Sequence, residues 1–436
     1  MSQPAPAPFV AALLGAPLPT SGIAWLDALR REHLAAFAAA GLPDTRMEAW
    51  KYTALRALGQ RRYANGDAQA ATRAIDPAAF ALPGVDGPRL VFVNGVFRAD
   101  LSDLRALPGL EIVRLGTDPL GFAAALTDVD ALPGSTDAFA LLNTALATDG
   151  MLLRVAAGTR VTEPLHLVCV GAAADADVAW QLRLRIELGE GAALRVIEQH
   201  VAADAHAHFG NIVADFRLAA QARLDLVQVQ DAAQGAALIR RTGARIERAA
   251  HLRMHTIELG AQLMRHELAI ALSGTGARFE SRGVFALHGR QHADTRMQVV
   301  HDARDTACDI AWRGVADQRA RGVFHGAITV AAGADGADAQ LSNKNLLLSP
   351  LAEIDTQPVL EIHADEVKAA HGATVGQLDE QALFYLRSRG LPLALARRVL
   401  VAAFCGAVLS GLDVPVLRAR IDALLAARLP QAEDAA

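Results

Sequence analysis

A repeat whose length drifts between 27 and 30 residues runs through the middle of the chain. A single repeat of this size cannot bury its own apolar face, whereas stacked repeats form one continuous interior. The repeat therefore predicts a β-solenoid, in which equivalent apolar residues of successive turns lie above one another. The matching segments are GAAL at 191–194, QARL at 221–224, AAHL at 249–252 and GARF at 276–279, and the predicted interior residues are Leu194, Leu224, Leu252 and Phe279.

The surrounding sequence indicates β structure from Met151 to about Val375. Short apolar runs such as LHLVCVG and LRLRIELG are separated by Gly, Ala and Asp, and helix-length periodicity is nearly absent. Short strands with regularly spaced turn residues are also typical of a β-sandwich. The pattern alone therefore leaves a solenoid and a sandwich open.

Helical patterns precede this β region. Residues 22–40 and 138–148 place apolar side chains at helical spacing. Between them, the Asn94-Gly95 pair in PRLVFVNGVF predicts a hairpin with a type I′ turn. We therefore expect residues 1–150 to form a mainly helical domain with a short β-hairpin.

Helices also follow the β region. Asp379 is a candidate N-cap, Gly390 is a candidate helix stop, and Pro392 begins the next helical pattern. These signals predict a β core over residues 151–376 and a C-terminal helical domain over residues 377–436.

Composition narrows the class of protein. The chain has 436 residues, of which 52% are hydrophobic, so a large core is expected. A net charge of −5 gives no overall attraction for phosphate backbones, which argues against a nucleic-acid partner.

Three separated cysteines without a CxxC pair favour a reducing cytoplasm. No secretory signal is expected, and Arg397 and Arg398 interrupt the longest apolar stretch, so no membrane span is expected either.

The motifs of common enzymes are absent. The chain has no GxxxxGK[ST] for a nucleotide phosphate and no GxSxG, and the RHEL at 265–268 lacks the second histidine of a zinc site. The loop at 331–338 offers Asp335 and Asp338 to a cation, but two carboxylates are too few for a dedicated calcium site. We therefore expect this loop to be a plain turn.

Two further groups of residues are candidate sites. His200, His206 and His208 alternate in a way that suits a surface metal site, although the AADAHAH context favours a solvated loop. Cys308 has His288 and His292 nearby in sequence, which suggests a nucleophile and base, but a buried apolar cysteine is the stronger interpretation.

Residues 341–390 resemble the signature of the SufB/SufD family of iron–sulfur cluster assembly scaffolds. The matching elements, in order, are LLLSP at 346–350, DTQP at 355–358, LEI at 360–362, HGATVG at 371–376 and FYLRSRG at 384–390. Upstream, RMEAWKYT at 46–53 is similar to an E-x-W-K-Y-T element typical of the SufD branch. The resemblance thus spans nearly the whole chain.

The resemblance implies a fold and a function. It implies a right-handed parallel β-helix between N-terminal and C-terminal helical domains, and a non-enzymatic scaffold that pairs with SufB and docks the ATPase SufC. No cofactor would be bound stably by this chain alone, although a transient iron–sulfur cluster would form in the complex. A homodimer in isolation is also compatible with the sequence.

The resemblance also implies site residues. The matching histidine, His371, would face SufB and act as a transient ligand of iron or of the nascent cluster, with Glu361 or Asp365 as nearby carboxylates. Many relatives have a cysteine two residues before this histidine, where this chain has Ala369, so the thiolate ligands would come mainly from the partner. The implied SufC-binding residues are Phe384, Tyr385, Leu386, Arg387 and Arg389.

Two other functions remain open from the residues themselves. The first is a β-helix enzyme that acts on polysaccharide, and the second is a purely structural homodimer. Enzymes of the first kind need exposed pairs of carboxylates. The sequence shows no clear acidic cluster of that type.

Overall fold

A computed structural model describes residues 6–66, 69–127 and 137–428. The N-terminal part combines short helices with four short strands. These elements are α1 (Pro8–Gly15), α2 (Ala24–Ala40), α3 (Arg56–Gly59), β1 (Ala64–Asn65), β2 (Arg89–Val93), β3 (Val96–Phe97), β4 (Leu110–Arg114), α4 (Ala123–Thr127) and α5 (Ala138–Leu146).

The central part is a parallel β-solenoid of about eight turns, in which successive strands alternate between two sheets. The odd sheet contains β5 (Asp149–Val155), β7 (Val178–Leu188), β9 (Phe209–Leu218), β11 (Ala237–Ile246), β13 (Leu263–Leu272), β15 (His292–His301), β17 (Arg321–Val330) and β19 (Glu353–Ile362). The even sheet contains β6 (Leu165–Gly171), β8 (Ala193–Ala202), β10 (Arg223–Asp231), β12 (His251–Glu258), β14 (Arg278–Leu287), β16 (Ala307–Ala316), β18 (Asp338–Leu347) and β20 (Lys368–Gly376).

The four predicted interior residues form one column. Leu194 pairs in register with Leu224, Leu224 with Leu252, and Leu252 with Phe279, and none of the four is more than 3% exposed. Because these strands are parallel, the solenoid prediction is confirmed and the antiparallel sandwich is excluded.

The repeat found in the sequence corresponds to one corner of each turn. Gly191, Gln221, Ala249 and Gly276 all have φ between 55° and 73°. Each donates its backbone N–H to a carbonyl of the following turn, as in the 2.8 Å bond from Gln221 to Arg248. The alanine after each corner residue is almost completely buried. The corner therefore needs a left-handed residue followed by a small one, which explains the recurring GA, QA and AA pairs.

Replacing Ala249 with glycine is expected to stabilise the protein by about 0.5–1 kcal/mol. The methyl group of Ala249 is exposed and its φ is 55°, a conformation that costs L-residues roughly 1–2 kcal/mol and glycine almost nothing. The free energy of unfolding in urea measures the gain. The matched control is Ala250→Gly, which removes a buried methyl group and should destabilise. Equal destabilisation by both variants would contradict the strain assigned to this corner.

The N-terminal end of the solenoid finishes in antiparallel strands. β2 adds to the even sheet beside β6, and β3 folds back on β2 through Asn94 and Gly95. Their φ values of 47° and 80° confirm the predicted type I′ hairpin. β4 runs antiparallel to β5 at the edge of the odd sheet. Strands from the first 150 residues therefore extend both sheets of the solenoid.

Helices cover the outer faces of the two sheets. α1, α2 and α5 pack on the odd sheet, where Phe9, Phe37 and Phe139 share a cluster with Phe209 and Ile239. The C-terminal helices are α6 (Glu380–Ser388), α7 (Leu393–Gly406) and α8 (Pro415–Arg428). Residues of α7 and α8 form a second cluster with outward-facing valines and isoleucines of the even sheet.

Helix termini largely follow the sequence signals. The Asp379 side chain accepts hydrogen bonds from the backbone N–H groups of Gln381 and Ala382, which confirms it as the N-cap of α6. Gly390 follows this helix with a φ of 90°. No helix in the described ranges is long and apolar enough to cross a membrane.

The solenoid interior also contains a buried ion pair. Arg240 of the odd sheet is 0% exposed and donates to the Glu198 carboxylate of the even sheet, while His200 Nε2 lies 2.6 Å from Glu198 Oε1. Burial alone would raise the pKa of Glu198. The Arg240 charge and the hydrogen bond from His200 outweigh burial, so the pKa falls to about 2.

Candidate functional site

The C-terminal end of the solenoid has two strands that each lack a second neighbour among the described residues. β19 pairs only with β17, and β20 pairs only with β18. Each strand therefore presents backbone N–H and C=O groups to solvent. Ile362 and Val375, on these two strands, are 40% and 42% exposed. This end, which we call the open end, is suited to bind another chain.

His371 lies at the end of an interior column. It pairs in register with Leu341, which pairs with Ile310, and both of these residues are buried in the core. Paired residues of parallel strands project to the same face of a sheet. The imidazole therefore occupies an interior position on the last turn, and it is exposed because no further turn covers it. A Cβ added at Gly372 would meet no atom within 4 Å, so the opposite face of β20 is also open at this point.

The structure places Glu361 and Asp365 on the same terminal turn but in different surroundings. Leu360 packs against the solenoid core, so its neighbour Glu361 projects from the outer face of β19. Asp365 is exposed between β19 and β20. Within residues 6–66, 69–127 and 137–428, no three His, Cys, Asp or Glu side chains converge as a metal site would require. Additional ligands would therefore have to come from another molecule.

Helix α6 presents its aromatic residues to solvent. Leu383 is buried, whereas Phe384 and Tyr385 are 74% and 57% exposed. Arg389 Nη2 donates a 3.2 Å hydrogen bond to the Tyr385 hydroxyl, and its guanidinium carbon lies 5.2 Å from the centre of the ring. Leu386 is half-buried and Arg387 is exposed. The described chain thus leaves this aromatic and cationic face uncovered.

The three candidate metal-binding histidines lie in different surroundings. His200 faces the solenoid interior, and His208 is buried with Nε2 2.8 Å from the carbonyl of Ala172. His206 stacks on His208 with 4.3 Å between ring centres. The expectation of a solvated loop is wrong for His200 and His208, because the alternation of the strand turns His200 inward.

The histidine partner of Cys308 is His301 rather than His288 or His292. The Cys308 Sγ lies 3.2 Å from His301 Nε2, and His301 Nδ1 lies 2.8 Å from Thr306 Oγ1. Burial raises the pKa of Cys308 to about 12 and lowers the pKa of His301 to about 4, so both side chains are neutral near pH 7. The interpretation as a buried packing residue is confirmed.

The loop at 331–338 forms a turn in which Gly333 and Gly336 have positive φ. Asp335, one of its two candidate carboxylates, pairs with Arg304 at 2.9 Å.

Comparison with known proteins agrees with this architecture. A family model described as the SufBD core domain of the SUF system for FeS cluster assembly matches residues 170–404, and a model of the SufBD N-terminal region matches residues 18–167. The chain belongs to the SufB/SufD family. Among SufBD proteins, the iron–sulfur cluster assembly protein SufD of Escherichia coli is 30% identical over 402 residues, which is 92% of each chain.

Other SufBD relatives show similar identity. A SufBD family protein of Synechocystis sp. is 30% identical over 394 residues, covering 87% of this chain and 86% of the relative. A SufBD family protein of Mycobacterium tuberculosis is 32% identical over 300 residues, covering 67% and 72%. The chain is therefore a SufD homologue from a family of iron–sulfur cluster assembly proteins.

In this SufD homologue, the EAWKYT segment at 48–53 attaches the N-terminal region to the odd sheet. The Trp50 ring lies 3.7 Å from the guanidinium carbon of Arg265, and Thr53 donates to Asp294. The Tyr52 hydroxyl accepts a 3.2 Å hydrogen bond from Gln357 of β19. The segment therefore reaches the outermost strand of the open end, a contact that its sequence gives no means of predicting.

Proposed function

We propose that this SufD homologue is a non-enzymatic scaffold subunit of an iron–sulfur cluster assembly complex, which pairs with SufB and docks the ATPase SufC. The open end carries the proposal, because it combines two unpaired strand edges with His371 at the end of the interior column. A relative with 92% mutual coverage is an iron–sulfur cluster assembly protein named SufD.

Pairing with SufB would continue the two sheets across the open end. The edges of β19 and β20 offer main-chain hydrogen bonds to strands of a second solenoid. The same contact would cover Ile362 and Val375. A structurally similar partner with its own free strands fits this surface best.

His371 would then contribute to the cluster at the boundary between the subunits. Neutral imidazole is a good ligand for iron. Ala369 supplies no thiolate, so SufB would provide the remaining ligands, with Glu361 or Asp365 of this chain at the periphery. The cluster is cargo that forms in the complex and leaves it, and this chain alone would hold no stable cofactor.

SufC would dock on the exposed face of α6. Phe384 and Tyr385 supply aromatic area, while Arg387 and Arg389 supply cationic contacts, and residues of these types are enriched at interface hot spots.

The proposed site of action is the cytoplasm, because Cys169, Cys308 and Cys405 are all free and buried.

Co-purification tests the whole proposal. The tagged chain is expressed together with SufB and SufC, and the proteins that remain bound are identified and quantified. Recovery of both partners is expected. Recovery of the chain only as a homodimer, with neither partner, would contradict the scaffold function and favour the purely structural alternative. Cleavage of polysaccharide by the purified chain would favour the β-helix enzyme.

The His371→Ala variant should lose cluster assembly without losing stability. The side chain is exposed on the last turn, so its removal should change the free energy of unfolding by less than about 0.5 kcal/mol. Iron–sulfur content of the assembled complex, and rescue of a strain that lacks SufD, should both fall clearly. The matched control is His363→Ala, an exposed histidine just beyond β19. Full rescue by His371→Ala would show that this imidazole is dispensable.

A further inference from the structure

A groove of about 550 Å³ crosses the outer face of the odd sheet and ends at the open end. Its floor is a row of paired residues on β13, β15, β17 and β19, namely Ala269, Gln298, Ala327 and Val359. Its wall consists of Met47, Ala49 and Trp50 from the N-terminal region. Two of the four floor residues are alanines, which leaves room for an extended chain.

Arg296 is a cation without a partner in this groove. It is half-buried on β15, between Glu267 and His325 of the neighbouring strands. The Glu267 carboxylate forms an ion pair with Arg265 at 2.5 Å and lies 3.6 Å from Arg241. The carboxylates of Asp294, Glu267 and Glu48 act on Arg296 only at longer range, and Arg296 makes no hydrogen bond or ion pair with any residue that the structure describes. A half-desolvated guanidinium of this kind favours binding of a carboxylate.

His325 complements Arg296 as a neutral neighbour. Burial, followed by the Arg296 charge, lowers the pKa of His325 to about 4. Near pH 7 the ring is therefore uncharged and does not repel the guanidinium. A carboxylate bound to Arg296 would have a neutral imidazole beside it as a second hydrogen-bonding group.

Glu361 carries the opposite charge at the mouth of the groove. It is exposed on β19 and makes no ion pair within the described ranges. Arg296 pairs in register with His325 on β17, and His325 pairs with Gln357 on β19. Glu361 is therefore two strands away from Arg296 and four residues further along the strand direction. Strand spacing of about 4.8 Å and a rise of about 3.3 Å per residue place the two Cα atoms roughly 16 Å apart. An extended segment of about five residues spans that distance.

We propose that this groove receives an extended segment of the SufB subunit, which places an acidic side chain on Arg296 and a basic side chain near Glu361. The inference rests on the pairing with SufB proposed above. Three features support it: the opposite charges of Arg296 and Glu361, the two alanines in the floor, and the position of Val359 and Glu361 on the free strand β19. The segment would thus extend the contact beyond the strand edges.

The affinity for SufB tests this inference through charge reversal. Arg296→Glu should weaken binding by about tenfold or more, because it replaces attraction by repulsion in a partly desolvated site. Glu361→Lys, at an exposed position, should also weaken binding even if Arg296→Glu proves unstable. The matched control is Arg290→Glu, which makes the same charge change at an exposed turn and should bind like the wild type. Isothermal titration at low and high salt measures the affinities.

The outcomes separate this inference from the proposed function. If the wild type binds SufB and both groove variants bind as tightly as Arg290→Glu, the groove is not part of the contact. If the wild type does not bind SufB at all, the pairing itself is wrong and the groove has lost its proposed occupant. If the groove variants instead abolish only self-association, the occupant is a second copy of this chain, which overturns the assignment to SufB.

Discussion

Replacing Arg240 with methionine is expected to destabilise the protein by about 3–5 kcal/mol, because Glu198 would keep its buried position and lose its cation. Arg240 is 0% exposed, and Glu198 is 2% exposed inside the solenoid. The free energy of unfolding in urea gives the measurement. Arg290→Met at an exposed turn is the control and should have little effect.

A double variant distinguishes the ion pair from general packing. Glu198→Gln removes the carboxylate charge while keeping an acceptor for His200, so the Glu198→Gln/Arg240→Met variant should recover much of the lost stability. If the double variant is as unstable as Arg240→Met, the loss comes from the shape of the arginine side chain rather than from an unpaired charge.

Acid should produce a related effect in the wild type. The pKa of Glu198 is about 2 in the folded protein and about 4.3 in an unfolded chain. Its stabilising contribution, about 3 kcal/mol, is therefore fully present above pH 4.3 and lost as the pH falls towards 2. The Glu198→Gln/Arg240→Met variant should lack this part of the acid dependence.

A Tyr385→Ala/Arg389→Glu variant is expected to lose SufC while retaining SufB. The two side chains form one exposed unit on α6, joined by the hydrogen bond between Arg389 and the Tyr385 hydroxyl. Loss of an aromatic and arginine hot spot costs about 2 kcal/mol or more, which corresponds to roughly 30-fold weaker binding. Quantitative pull-down with SufC and SufB gives the two affinities.

Stability must be measured on the same variant. Exposed side chains of this kind usually change the free energy of unfolding by less than about 0.5 kcal/mol. Leu120→Ala, which shortens another exposed apolar side chain, is the control. Retention of both partners would reject α6 as the docking site, and loss of both with a lowered melting temperature would mean that α6 supports the fold.

The solenoid could be predicted from the sequence because its corners impose a local requirement. Gln221 and Ala249 adopt the same left-handed conformation as Gly191 and Gly276, and each is followed by a buried alanine. This requirement recurs once per turn and leaves a repeat in the sequence. The same spacing predicts the interior column, since the residue two positions after each alanine, a leucine in three turns and Phe279 in the fourth, faces inward.

The polar interior could not be predicted in this way. Strands of a solenoid are buried on one face and often covered on the other, so a polar residue does not reveal which way it projects. Arg240 and Arg241 are adjacent, yet Arg240 faces the interior and Arg241 faces Asp137 outside. The long-range contact of Tyr52 with Gln357, and the contact of Cys308 with His301 across one turn, likewise depend on turn lengths that no local pattern specifies.

His371 itself was identified by its resemblance to a family motif, whereas its geometry required the strand register. The pairing of Leu341 with His371 shows that the imidazole ends a core column rather than a surface row. The same register separates it from Glu361, which projects from the outer face of β19. The sequence motif thus falls on the terminal turn, and it leaves open which side chains share a face.

The two ends of the solenoid differ in a way that limits the size of any assembly. The antiparallel strands β3 and β4 form the N-terminal edges and are only two and five residues long, whereas β19 and β20 have ten and nine residues. Two solenoids that meet through β19 and β20 would therefore cover the two longest sheet edges of the described chain. Such a pair would present only short edges to further copies, which disfavours growth into an open filament, the usual hazard of exposed strand edges.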